Sequence, residues 1–159
     1  MISNLTIRLA TSNDAPGIAR LSRDRIEAGL SWSWMSPRVL RSIADPHSNV
    51  VVALDGARML GFGIMKYHDD EAHLLLLAVR AGFARSGVGS ALVAWLERSA
   101  RVAGIGQVLL EARASNGGAR RFYQRLGYVE IQALPGYYQG RETAVRLAKD
   151  LWLDATEAR

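Results

Sequence analysis

The chain has 159 residues, no cysteine, 20 Lys and Arg against 15 Asp and Glu, and a formal net charge of +5 at pH 7. That length supplies one domain with a real core rather than two comfortable ones, so residues 1–159 are expected to form a single domain. The missing thiols exclude disulfides, thiolate metal sites and any cysteine-linked covalent intermediate. No apolar run reaches the roughly 18–20 residues of a membrane helix, and Met1–Leu5 carries no basic-then-apolar signal, so a cytoplasmic location is expected. The positive charge is scattered and almost all arginine, with Lys66 and Lys149 the only lysines. It suits a polyanionic cofactor or a genomic bias better than a nucleic-acid partner.

Leu5–Leu9 alternates apolar and polar residues and reads as a strand. Asn13 or Asp14 caps a helix with Pro16 in its first turn, running to about Ala28 and stopped by Gly29. An aromatic loop, Leu30–Met35, leads to a helix from Ser36-Pro37 to about Ala44, which Asp45-Pro46 ends. Strands over Asn49–Leu54 and Met59–Tyr67 join at a tight turn, Asp55-Gly56, and after His68-Asp69-Asp70 a third strand covers Ala72–Val79. Val88 to about Val102 is a helix with Val88, Leu92, Trp95, Leu96 and Val102 on one face. A strand over Val108–Arg113, a helix over Asn116–Leu126 capped by Ser115 or Asn116, and strands over Tyr128–Gln132 and Thr143–Leu147 complete the chain, with a loop at Leu134–Gly140 between the last two. This is a mixed α/β arrangement.

The most telling segment is Arg85-Ser86-Gly87-Val88-Gly89-Ser90, placed between an apolar strand and a helix. The first turn of a helix has N–H groups without internal partners and carries partial positive charge. Glycines let a diphosphate approach the main chain, although the same turn also serves as a plain strand–helix connection. Glu111 stands in an otherwise apolar strand, Val108–Ala112. Burial there would raise its pKa and make it a better base; a solvent-facing Glu paired with Arg113 on the same face is the other reading. Downstream lies Asn116-Gly117-Gly118-Ala119-Arg120-Arg121-Phe122-Tyr123-Gln124-Arg125-Leu126-Gly127-Tyr128.

Together these segments resemble the GNAT superfamily of acetyl-coenzyme A-dependent N-acetyltransferases. The turn at residues 85–90 looks like the family's pyrophosphate-binding motif, with Ala84 where Gln or Arg is usual. Leu110-Glu111-Ala112-Arg113-Ala114-Ser115-Asn116, Tyr123, and Tyr137-Tyr138 with Gly140-Arg141-Glu142 are similar to the ribosomal-protein alanine N-acetyltransferases. The resemblance is strong from about Glu71 to Leu147 and weak before residue 50. It implies a mostly antiparallel mixed sheet with helices on both faces, acetyl-coenzyme A as co-substrate, and a primary amine as acceptor. A protein or peptide α-amine is favoured; a small amine such as an amino acid, polyamine or antibiotic, or a non-catalytic coenzyme A- or RNA-binding domain, are the alternatives.

Amine acetylation requires loss of the ammonium proton, stabilisation of the thioester oxygen and departure of a thiolate. By the resemblance Glu111 takes the proton, directly or through a water, with Glu71 in reserve. Tyr123, at the edge of the stripe Ala119, Phe122 and Leu126, protonates the leaving thiolate, since phenol and thiol pKa values lie close together. Arg85, Ser86, Gly87, Val88, Gly89 and Ser90 hold the diphosphate, and Leu77, Ala78 and Val79 offer backbone groups to the pantetheine arm and the oxyanion. Asn116 bonds the cofactor, caps its helix, or does both. Without cysteine, direct attack within a ternary complex is the natural scheme.

Trp32, Trp34, Tyr137 and Tyr138 lie in loops, and by resemblance Trp32 and the tyrosines flank the acceptor; a core-covering aromatic cluster is the other reading. His68, Asp69, Asp70, Glu71 and His73 bear metal-binding side chains, but their spacing fits no standard zinc motif and no metal is expected. Trp95 reads as core, and Trp152 packs on the sheet or on a second subunit in a homodimer.

Overall fold

The computed structural model describes residues 4–153. The strands are β1 (Leu5–Leu9), β2 (Ser48–Asp55), β3 (Arg58–Tyr67), β4 (Ala72–Val79), β5 (Gln107–Arg113), β6 (Val129–Tyr138) and β7 (Glu142–Asp150). They form one seven-stranded sheet in the order β1-β2-β3-β4-β5-β7-β6. The helices are α1 (Ala15–Arg25), α2 (Ser36–Ala44), α3 (Val88–Val102) and α4 (Gly117–Arg125), and Ser12–Asp14 forms a short 3-10 turn before α1. The β4–β5 pair is parallel, while β1–β2, β2–β3, β5–β7 and β6–β7 are antiparallel. This is the expected mixed α/β fold. No helix among the described residues is long and apolar enough to cross a membrane.

Two compact units make up the chain. The first holds the residues up to Lys66 together with Leu75–Ser99. Its core gathers Ile18 and Ala19 of α1, Val39 of α2, Val50 and Val52 of β2, Phe62 and Ile64 of β3, and Leu76 and Ala78 of β4. β-Branched side chains suit the pleated surface of β2, and burial of alternate residues along β4 reflects the period-two pleat. Gly61 lets β3, β4 and α3 close up: a Cβ there would stand 2.7 Å from the carbonyl oxygen of Ala78 and 3.3 Å from Val88.

The second unit holds Tyr67–Leu74 and the chain from Ala100 onward. Its β5–β7 ladder sets Glu111 directly opposite Arg146, and the parallel β4–β5 ladder covers Ala72–Leu74 against Val108–Leu110. α4 is pinned by Arg120, whose guanidinium grips Glu130 of β6 through two bonds of 2.7 and 2.8 Å and donates to the Ala114 carbonyl at 2.8 Å.

Four expectations about the elements change. α1 ends at Arg25 rather than about Ala28, because the Glu27 N–H folds back onto the Ser22 carbonyl and the Glu27 side chain turns inward. The sequence places a loop at Leu134–Gly140, yet β6 continues to Tyr138; it is the last strand of the sheet, where Pro135 and Gly136 interrupt the register without leaving a neighbour unpaired. β2 runs through Asp55, which pairs with Arg58, so the hairpin turn is Gly56-Ala57. On α3 the buried stripe is Val88, Leu92, Val93, Leu96 and Ala100, while Trp95 is half-buried and Val102 is 89% exposed. At 3.6 residues per turn Val102 lies roughly 120° round the helix from Leu96, so the buried face is centred on Leu92 and Leu96 rather than on Val102.

Candidate active site

In the first unit, β4 leads into the loop Ala81–Gly87 and then α3. The first helical bond of α3 runs from the Ala91 N–H to the Gly87 carbonyl. The N–H groups of Val88, Gly89 and Ser90 therefore lie ahead of the helical ladder. Gly87 has φ of +87°, a conformation that L side chains rarely adopt, and no atom lies within 4 Å of where its Cβ would stand. Ser86 is turned inward on its own loop, donating from Oγ to the Phe83 carbonyl at 2.6 Å, and Arg85 is exposed. An open, positively polarised turn with no side chain over it fits a diphosphate. The Val79 carbonyl accepts from Arg25 Nε at 3.1 Å, so that carbonyl is already engaged. The β5 ladder stops at Leu74 and leaves Leu77, Ala78 and Val79 outside it.

The aromatic loop of this unit is held from within. Trp34 is buried and Trp32 half-buried; the Trp32 indole N–H donates to the Ala19 carbonyl at 3.2 Å. Arg23 lies 5.2 Å from the Trp32 ring and Arg38 lies 3.9 Å from the Trp34 ring. Beneath them Glu27, only 6% exposed, accepts from Ser22 Oγ at 3.0 Å, from Ser33 Oγ and N at 2.6 and 2.7 Å, and from Trp34 N at 3.3 Å. The sequence reading passed over Glu27; the signal was an acidic residue followed closely by Ser33, in a loop with two tryptophans to anchor.

In the second unit, Glu111 is the hub. Its side chain is 6% exposed. Oε1 accepts from Tyr137 Oη at 3.1 Å and lies 2.6 Å from His73 Nε2; Oε2 accepts from Arg146 Nε at 2.7 Å. Four strands supply these groups: His73 from β4, Glu111 from β5, Tyr137 from β6 and Arg146 from β7. The pairing with Arg113 is not formed; Arg113 bonds Glu142 at 2.9 Å instead. The expected rise in the Glu111 pKa is also overturned. Burial does push it upward, but the hydrogen bonds from His73 and Arg146, with the Arg146 charge, pull it below the ordinary carboxylate value. Glu111 is thus ionised at neutral pH and a weaker base than an apolar strand would make it. Burial, with Glu111 adjacent, raises the Tyr137 phenol, and burial raises Tyr138. Glu71 is half-buried, and its charge is felt at Arg146.

Tyr123 departs from expectation as well. It is the buried member of its helix, 8% exposed, while Phe122 and Leu126 are half-buried. Its ring meets those of Phe122 and Tyr128 edge-on, at 5.0 and 5.7 Å between centroids. Its hydroxyl makes no hydrogen bond among the described residues. Burial, and secondarily Tyr138, lift its pKa well above the ordinary phenol range. Asn116 is the cap of α4: its side-chain oxygen accepts from Ala119 N at 3.0 Å. His73 and Arg146 join the site although the sequence did not assign them to it. The two-residue spacing of Glu71, just ahead of β4, and His73 within it was the only signal for the histidine.

A mixed sheet, an anion-ready turn ahead of α3 and a buried carboxylate hub are the parts of an acyl-transfer enzyme that handles a phosphorylated donor. The family model for the acetyltransferase (GNAT) family matches residues 18–128. The [Ribosomal protein bS18]-alanine N-acetyltransferase of Salmonella typhimurium is 29% identical over 146 residues, 90% of this chain and 95% of that protein. The crystal structure of Ard1 from Thermoplasma volcanium superposes with a TM-score of 0.81 at 28% identity, covering 94% of this chain and 99% of the other. PaiA N-acetyltransferase from Thermoplasma acidophilum, solved in complex with coenzyme A, shares the fold, with a TM-score of 0.79 at 18% identity over 93% of this chain and 99% of its own. The chain belongs to the acetyltransferase (GNAT) family: it is an N-acetyltransferase whose acetyl donor is acetyl-coenzyme A.

Proposed function

We propose that the enzyme acetylates the α-amino group of a protein or peptide. The observation that carries this reading is the Glu111 hub: an ionised, 6%-exposed carboxylate bonded to Tyr137, with the Tyr138 ring packed edge-on 5.1 Å from that of Tyr137. A fixed anion beside aromatic rings attracts an ammonium group. The similarity to the bS18-alanine enzyme supports it, because that match takes in 90% of the chain and extends beyond the donor-binding half.

Acetyl-coenzyme A supplies an activated thioester carbonyl. In this reading the amides of Gly87, Val88, Gly89 and Ser90 bind the diphosphate, with Arg85 and Ser86 in the same turn. Main-chain groups of Leu77, Ala78 and Val79 face the pantetheine and the developing oxyanion. The free Tyr123 hydroxyl donates a hydrogen bond to the departing sulfur, and the Asn116 side chain keeps its NH2 for the cofactor while its oxygen caps α4. Glu71 and Glu111 draw in the acceptor ammonium, and Tyr137 and Tyr138 border it. In this reading the enzyme works as one domain over residues 1–159, in the cytoplasm. Trp152, 49% exposed, is the surface through which a second copy would pack, and sedimentation velocity reads that directly.

The test is thiol release from acetyl-coenzyme A with hexapeptides differing at the first residue, their Nα-blocked counterparts carrying an internal lysine, and free amino acids and polyamines. Turnover confined to peptides with a free α-amine is the expected outcome. Turnover confined to polyamines or amino acids would refute the α-amine assignment and leave a small-molecule acetyltransferase.

A further inference from the structure

Glu111 is poorly suited to take a proton itself. Three donors already occupy its two oxygens, and only 6% of its side chain is exposed. His73 is differently placed. Its side chain is 24% exposed, and its Nε2 lies 2.6 Å from Glu111 Oε1. An ionised carboxylate can only accept, so neutral His73 must carry its hydrogen on Nε2, leaving the Nδ1 lone pair free. Nδ1 has no hydrogen-bond partner among the described residues. A carboxylate on one ring nitrogen with a free lone pair on the other is the arrangement that makes imidazole an oriented general base. The charged and titratable groups around this cluster are Glu71 just ahead of β4, Glu111 from β5, Tyr137 and Tyr138 from β6, and Arg146 from β7.

From this geometry we infer that Nδ1 of His73 is the proton acceptor for the substrate ammonium, and that Glu111 is a positioning residue acting through the imidazole. This rests on the acetyltransferase reading above. One ammonium proton passes to Nδ1. The freed nitrogen lone pair forms the N–C bond to the acetyl carbon as the C–S bond breaks with its electron pair leaving on sulfur. A second N–H proton ends on that sulfur, the third stays on the amide nitrogen, and His73 returns its proton to solvent.

The rate test uses whichever acceptor of the panel turns over. Wild-type kcat/KM should fall on an acidic limb. His73→Gln should lower kcat by at least about 100-fold and abolish that limb, with acetyl-coenzyme A affinity by calorimetry within twofold of wild type. The double variant with Glu111→Gln should be no worse than the more damaged single variant, since the two act as one unit. His73→Gln within threefold of wild type with its acidic limb intact overturns the inference, even though the acetyltransferase reading then stands. A second measurement needs no acceptor and no variant activity. The chain has three histidines, His47, His68 and His73, so 15N-histidine NMR resolves each ring, with His73 assigned by its loss in His73→Gln. Hydrogen on Nε2 of neutral His73 is expected; hydrogen on Nδ1 overturns the inference.

Discussion

Replacing Glu27 with alanine probes the anchoring of the aromatic loop independently of catalysis. The carboxylate satisfies four donors: Ser22 Oγ, Ser33 Oγ, Ser33 N and Trp34 N. Ser33 is exposed, so water can replace the carboxylate at both of its donors. Ser22 is fully buried and Trp34 is 9% exposed, and their donors would be left without a partner. A buried donor stripped of its acceptor costs about 1–3 kcal/mol; the Trp34 bond is long at 3.3 Å, so the two losses together fall toward the low end, about 2–3 kcal/mol for Glu27→Ala. For a chain of this size that is a Tm lower by about 5–10 °C. Urea unfolding at pH 7 gives the free energy and a calorimetric scan the Tm. Glu27→Gln keeps an acceptor oxygen and should recover part of the loss. A Glu27→Ala protein within 0.5 kcal/mol of wild type, on the order of ordinary surface substitutions, would refute the claim that this carboxylate anchors the loop.

Three further outcomes are expected. Glu111→Gln removes the charge from a carboxylate that holds three hydrogen bonds and whose folded pKa is depressed; the stability it contributes is full above the ordinary value of about 4.5 and is lost as pH falls through the lower folded value. The wild-type advantage over Glu111→Gln in urea should therefore be about 1–2 kcal/mol at pH 7 and shrink below pH 4; an advantage that grows in acid would contradict the assigned pairing. Gly87→Ala forces a side chain to φ of +87° with no contact in its way, so it should cost about 1–2 kcal/mol in backbone strain alone and weaken acetyl-coenzyme A binding by calorimetry; unchanged stability and affinity would show that the turn does not need glycine. Tyr123→Phe keeps the ring contacts and removes the free hydroxyl, so it should lower kcat about 100-fold with the KM for acetyl-coenzyme A nearly constant; a raised KM with kcat unchanged would mean a binding role instead.

Local periodicity and punctuation were enough to place β1, α2, β4 and α3 at their observed ends, because Ser-Pro at a helix start, Asp-Pro after its end and the apolar run of β4 act within a few residues of themselves. The glycine turn and the cap at Asn116 were legible for the same reason: unpaired helix N–H groups are a property of the nearby chain. Where an element ends against a distant partner, the sequence was silent. Glu27 looks like one more helical glutamate until Ser33 and Trp34 fold over it, and Pro135-Gly136 looks like a loop until β6 proves to be the last strand of its sheet.

The site divides along the same line. The residues that the proposed chemistry draws on, Glu111 and Tyr123 among them, could be picked out in one dimension, because residue type and spacing along the chain are what a family motif records. What those residues can do was decided in three. The pKa of Glu111 depends on a histidine 38 positions earlier and an arginine 35 positions later, whose hydrogen bonds, with the arginine's charge, reverse the effect of burial. The Tyr123 phenol likewise rises above its ordinary range only once the fold buries it. Protonation energies are set by solvent exclusion and by charges within a few ångströms, and both come into being only when strands far apart in sequence are laid side by side.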